Sequence, residues 1–84
     1  MNIKITKARV IGENESGDVI AEATFKEIDD GLYNINHVRV DKKYQGRGLA
    51  AEVVEATVKE IQRRGGVPIS SCSYGAKWLG ENHL

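Results

Sequence analysis

The stretch that most limits what this chain can fold into runs from His37 to Ala51. It reads as the end of a strand, Val38-Arg39-Val40, then a basic glycine loop, then the first turn of a helix. Gly46 and Gly48 carry no Cβ, so the backbone between them can lie directly against a ligand. A helix start leaves its first N–H groups unpaired and carries about half a positive charge. Lys42, Lys43 and Arg47 add cations at the same place. These features together suit a phosphate or pyrophosphate. A plain strand-to-helix turn with a solvated basic rim uses the same residues.

The rest of the chain is built around that turn. Met1 to Ile11 is β-like, with Ile3 and Ile5 on one parity and Ala8 and Val10 on the other. That phase change predicts a bulge or an edge strand. A polar turn over 12–18 leads to a second strand, in which Val19, Ala21, Ala23 and Phe25 alternate with their neighbours. Asp29-Asp30-Gly31 signals a tight hairpin. The third strand runs from about Leu32 to Val40 and changes phase near Asn36-His37. A helix is expected from about Gly46 to Arg64, with Ala50, Val53, Val54, Thr57 and Ile61 on its apolar stripe and Gly65-Gly66 ending it. Val67 to Ser71 is a short fourth strand, held away from a central position by Pro68. Ser73 is expected to cap a last short helix over 74–79, ended by Gly80. The order β-β-β-α-β-α predicts an α/β fold. Its four-stranded sheet is mixed, because the strands flanking the long helix form a parallel crossover.

Totals set further bounds. Eighty-four residues make one domain with a small core. Twelve basic and twelve acidic residues cancel, which argues against a nucleic-acid surface. One cysteine and two histidines exclude a disulfide framework and argue against a structural zinc site. No apolar run approaches the ~20 residues of a membrane span, so a cytoplasmic protein without membrane contact is expected. A lone thiol suits a reducing compartment.

Gly46-Arg47-Gly48-Leu49-Ala50-Ala51 also spells the dinucleotide fingerprint. That fold needs an acid at the end of the next strand to hold a ribose. Val67-Pro68-Ile69-Ser70-Ser71 has none. The loop Lys43-Tyr44-Gln45-Gly46-Arg47-Gly48, followed by Leu49-Ala50, instead resembles the acetyl-CoA signature of the GNAT N-acetyltransferase superfamily, Gln/Arg-x-x-Gly-x-Gly/Ala. Lys43 departs from the pattern but keeps a cation. More narrowly, the chain resembles very small single-domain GNAT-like proteins that carry a cysteine on the last strand. The residues behind that likeness are His37, the glycine loop, Ser71-Cys72-Ser73-Tyr74, Lys77-Trp78 and Asn82, spread over nearly the whole length.

The resemblance implies a minimal GNAT-like fold that binds acetyl-CoA or coenzyme A as co-substrate and moves an acetyl group to an unidentified amine. It implies that amides from Gln45 to Leu49 hold the pyrophosphate, and that Val38, Arg39 and Val40 line the pantetheine arm. Lys43, Tyr44, Arg47, Ala50, Ser73 and Lys77 complete the implied coenzyme contacts. Cys72 would sit near the thioester at a helix start, a position that favours thiolate. His37 would be its base, and Tyr74 a donor to the thioester oxygen or the leaving sulfur. The bland alternatives are a buried inert cysteine, a structural histidine and a tyrosine covering the core. A coenzyme-binding module without catalysis is the rival reading. Under either reading a monomer or weak homodimer is expected. His83 and Leu84 carry no assigned role.

Overall fold

The computed structural model describes residues 1–82; His83 and Leu84 lie outside them. Five strands and two helices follow in the order β1 (Asn2–Ile5), β2 (Arg9–Glu13), β3 (Val19–Asp29), β4 (Leu32–Val40), α1 (Leu49–Arg63), β5 (Val67–Ser70), α2 (Ser73–Glu81). The strands form one sheet in chain order. The first three pairings are antiparallel and β4–β5 is parallel. The α/β class and mixed sheet stand as expected, but the sheet has five strands rather than four. β1 is an edge strand, one of the two readings of the phase change in Met1 to Ile11; the change itself is a hairpin turn, not a bulge. The Thr6 N–H donates to Arg9 O at 2.8 Å, and the Arg9 N–H donates back to Thr6 Oγ1 at 3.1 Å. A threonine hydroxyl that satisfies the backbone in this way favours a turn over a continuous ladder.

The second phase break falls where the pattern placed it. Thr24 faces His37 while Phe25 faces Ile35, so Asn36 is the extra residue of a β-bulge. Gly31 takes φ +74° at the β3–β4 hairpin.

α1 begins at Leu49, three residues later than expected. Gly46 and Gly48 lie in the left-handed region at φ +81° and +77°, which a helix cannot contain. The helix ends as expected at Gly65, where the N–H of Gly66 reaches Ile61 O and that of Gly65 reaches Gln62 O, both at 2.9 Å. α2 is longer than expected. Cys72, not Ser73, is the residue before its first turn, and Gly80 lies inside it.

Both helices cover one face of the sheet. Val53, Val54, Val58 and Ile61 of α1 pack with Val10, Ala21, Ala23, Phe25 and Ile35, and Trp78 and Leu79 of α2 close against them. Among the described residues no helix is long and apolar enough to cross a membrane.

Glu60 is the one carboxylate on the buried stripe of α1, 7% exposed. Hydrogen bonds from Arg63, then from Arg64, lower its pKa from 4.5 to about 2. Arg63 makes the two-pronged contact, but solvent screens it, since its side chain is 71% exposed; the Arg64 side chain is 20% exposed and is screened less. Arg64 also donates to Lys7 O at 2.9 Å and Thr6 O at 3.1 Å, tying the helix end to the β1–β2 turn. A depressed carboxylate pKa stabilises the fold above the unfolded value and stops doing so as pH falls through the folded one. The melting-temperature gap between wild type and Glu60→Gln should therefore be full above about pH 4.5 and close as pH falls toward about 2. A gap independent of pH in thermal melts would show that the carboxylate charge plays no part.

Candidate functional site

The site grows out of the point where β4 and β5 part. Their ladder runs from Leu32 opposite Val67 to Ile35 opposite Ser70 and stops there. Side chains take over from the ladder. Ser70 Oγ accepts the Cys72 N–H at 3.1 Å and lies 2.8 Å from both Ile35 O and Cys72 O. Asn34 Nδ2 donates to Ser71 Oγ at 3.0 Å, and the Ser71 N–H donates to Asn34 Oδ1 at 2.8 Å. Gly75 lets α2 sit directly on this knot, since a Cβ there would come within 2.4 Å of Ser70 Oγ. The chain thus turns into α2 at Cys72 while β4 continues alone beside β3.

That leaves β4 open along one side from the bulge to its end. The Asp41 N–H donates to Ile20 O at 2.8 Å. Antiparallel pairs alternate, so the polar backbone of Arg39 faces β3 and that of Val38 and Val40 faces the open side. Gln45 confirms the direction, for its Nε2 donates to Val40 O at 3.4 Å.

Beyond Val40 a single 3₁₀ turn, Lys42–Tyr44, leads into the glycine loop. Asn14 Nδ2 donates to the Tyr44 hydroxyl at 3.2 Å, and the Arg47 guanidinium lies 5.2 Å from the centre of the Tyr44 ring. The first bond of α1 runs from the Glu52 N–H to Gly48 O at 3.2 Å. Among the described residues the amides of Gly46, Arg47, Gly48, Leu49, Ala50 and Ala51 have no partner. Six free N–H groups at a helix start, with cations beside them, can hold a polyanion.

A cleft of about 350 Å³ joins the open strand to this loop, within the range of small-molecule sites. Val38, Arg39, Val40, Tyr44, Gln45, Gly46, Gly48, Leu49, Ala50 and Tyr74 line it. Most of the coenzyme-contact residues expected from sequence are therefore brought together. The others stand apart. Arg47 lines a neighbouring cavity of about 370 Å³ that Tyr44 and Leu49 share with Glu13, Asn14 and Ile20. Lys77 lines a shallow notch with Tyr74 and Trp78. Lys43 and Ser73 are exposed and line no part of the cleft.

Cys72 is half-buried at the fork, its N–H 3.4 Å from Ile35 O. His37 lies two residues further along β4 and is exposed. Val38 and Val40 pack toward the core, so His37 and Arg39 project from the helix-free face. Arg39 there joins Arg9 on the carboxylate of Glu22. No hydrogen bond joins His37 to Cys72 among the described residues. Sequence reasoning missed Asn14, Asn34 and Ser70. Each acts on a partner distant in sequence or through geometry that no local pattern encodes.

A family model described as GCN5-related N-acetyltransferase matches residues 9–83. The chain belongs to that family. No curated protein matches it. Among solved structures, a GCN5-like protein from Staphylococcus aureus superposes with a TM-score of 0.73 at 26% identity, covering 95% of this chain and 78% of its own. The GNAT protein YhbS of Escherichia coli, solved with CoA, gives 0.68 at 22% identity, over 74% of this chain and 38% of its own. A GNAT acetyltransferase of Elizabethkingia anophelis with acetyl-CoA bound gives 0.71 at 13%, over 87% and 50%. This GNAT chain thus spans half or less of the length of the latter two.

Proposed function

We propose that this GNAT domain is an acetyl-CoA-dependent N-acetyltransferase whose coenzyme lies in the cleft between β4 and the glycine loop. The observation that carries the reading is the continuity of an open strand edge with six free amides at a helix start. Its two parts match the two halves of the coenzyme. The amides and the Lys42–Arg47 cations suit the pyrophosphate. Val38 and Val40 pair with the pantetheine amides as a neighbouring strand would. Coenzyme bound in the related E. coli and E. anophelis structures supports the assignment. A reducing cytoplasm, in which Cys72 stays a thiol, suits it too.

The arm then ends beside Tyr74 and the Cys72 fork. In direct transfer a neutral amine attacks the thioester carbonyl. The new C–N bond forms, the C–S bond breaks, the amine proton passes to a base, and the Tyr74 hydroxyl protonates the leaving sulfur. In the covalent route Cys72 Sγ attacks the thioester carbonyl as His37 accepts the thiol proton. The C–S bond to the coenzyme breaks, and its sulfur leaves and is protonated by Tyr74. An amine then attacks the Cys72 thioester, breaking its C–S bond and passing a proton back to the Cys72 sulfur. A coenzyme-binding module without turnover is the second reading. It is favoured by the lack of a hydrogen bond between His37 and Cys72.

Intact mass after incubation with acetyl-CoA separates the three, with coenzyme-induced thermal shift as the control. One acetyl group gained by wild type and not by Cys72→Ala marks the covalent route. A thermal shift without mass gain, together with amine acetylation that falls ~10²-fold in kcat in Tyr74→Phe at constant KM, marks direct transfer. A thermal shift with no turnover on any amine leaves the module. No thermal shift removes the coenzyme assignment altogether.

A further inference from the structure

β3 is longer than the strand that flanks it. Its pairing with β2 ends at Thr24 opposite Arg9, and the Phe25 N–H makes a last bond to Ala8 O at 2.9 Å. From Lys26 to Asp29 no described strand lies along that edge, while β4 pairs the other side down to Leu32 opposite Asp29. A groove of about 610 Å³ follows the bare edge, the largest of those around the molecule described above. Ala8, Phe25 and Tyr33 give it an apolar lining, and Lys7, Lys26 and Arg64 line it with cations beside one acid, Glu27, which accepts the Gly31 N–H at 2.9 Å.

The same edge ends in acid. Asp29 and Asp30 form the hairpin tip, and Ile28 beside them is 52% exposed and outside the apolar core. Lys7, Lys26, Asp29 and Asp30 make no ion pair among the described residues. Lys26 faces Asn34 and Asp29 faces Leu32, so both side chains lie on one face of the sheet. An edge that is basic at one end and acidic at the other, on one face, complements itself under a two-fold axis.

We propose that this edge binds a second copy of the chain, the two β3 strands pairing antiparallel across a two-fold axis. Lys26 of one protomer then meets Asp29 of its partner, the acidic tip meets the groove's cations, and Ile28 moves toward its apolar lining. The other two sheet edges fit less well. β5 carries Pro68, which cannot donate to a new strand, and the Lys4 ammonium on β1 is already paired with Glu13 at 3.0 Å. About four or five residues of overlap form a patch well below the ~800 Å² per partner of a stable interface, so the dimer is weak, with Kd above ~10 μM.

Sedimentation velocity over a concentration series tests this, with amide NMR shifts recorded on the same series. The expected result is reversible dimerisation that weakens with added salt and shifts amides in 25–30 and 6–9. Lys26→Asp and Asp29→Lys should each weaken it at least ~10-fold, and the double variant, with the charges exchanged, should restore most of it. Both side chains are exposed, so the NMR dispersion of the variants should stay that of the wild type. A protein that stays monomeric to ~1 mM overturns the proposal, as does a dimer whose shifts map to β1 or β5, or a double variant weaker than either single one.

Discussion

Replacing Gly46 and Gly48 together by valine should raise the Kd for acetyl-CoA at least ~100-fold while leaving the domain folded. Both glycines hold positive φ, at +81° and +77°. A β-branched residue in that region is strained by roughly 1–3 kcal/mol, and relief of the strain turns the loop amides away from the bound anion. A Cβ at either position meets no atom of the protein within 4 Å, so the substitution does not collide with the core. Its cost is confined to the loop backbone and to the space a ligand would occupy. The check is titration calorimetry with acetyl-CoA, beside the far-ultraviolet spectrum of the variant. Gly65→Val is the control, since Gly65 has φ +80°, a Cβ there meets no atom within 4 Å, and it lies at the opposite end of α1 from the glycine loop. Unchanged affinity in a folded double variant would place the coenzyme elsewhere. Equal losses in the control would show that the effect is general.

The loop was legible in the sequence because its chemistry is local. Two glycines, flanking cations and a following apolar stripe already describe a glycine turn into a helix, and the structure moves only the start of the helix. The bulge was legible for the same reason: one extra residue at Asn36 flips the parity between Ile35 and Val38, and parity can be read off a sequence. The edge strand β1 was legible, but the hairpin beside it was not told from a bulge, because a bulge and a turn produce the same parity change. The turn is decided by the Thr6 hydroxyl and by Arg64, which lies far along the chain. The fork at Cys72 was legible in outline only. That a bulge lies near Asn36 followed from the phase break. That Ser70 and Asn34 hold β4 and β5 apart beside it did not, because it depends on atoms from two strands and a helix meeting at one point. The functional roles divide in the same way. Residues expected to act through backbone placement, such as Val38 and Gly48, fall into one cleft. Side-chain roles drawn from the resemblance, such as His37 beside Cys72, depend on geometry that neither residue's neighbours in sequence encode.

The second large effect joins the core to the cleft. Phe25→Ala should destabilise the domain by about 3–5 kcal/mol. Phe25 is 2% exposed, lies 6.3 Å from the Tyr33 ring, and has the Arg64 guanidinium 4.9 Å above it. Truncation therefore empties the inner end of the core and removes the aromatic seat of the arginine that ties α1 to the β1–β2 turn. Domains of this length have roughly 4–12 kcal/mol to lose, so the variant is left near the unfolding threshold. Phe25 does not line the cleft between β4 and the glycine loop, so the residues proposed to bind the coenzyme are left intact. A ligand that binds only the native state adds about 2.7 kcal/mol at 100 times its Kd. Acetyl-CoA should accordingly raise the urea midpoint of Phe25→Ala by the same free energy as in wild type, and should refold a visible fraction of it at ambient temperature. A variant as stable as wild type would show that Phe25 is not the anchor its burial implies. A destabilised variant that acetyl-CoA fails to restore, in conditions where it stabilises wild type, would show that the two ends of the sheet are coupled and that the cleft forms only when the Phe25 end is packed.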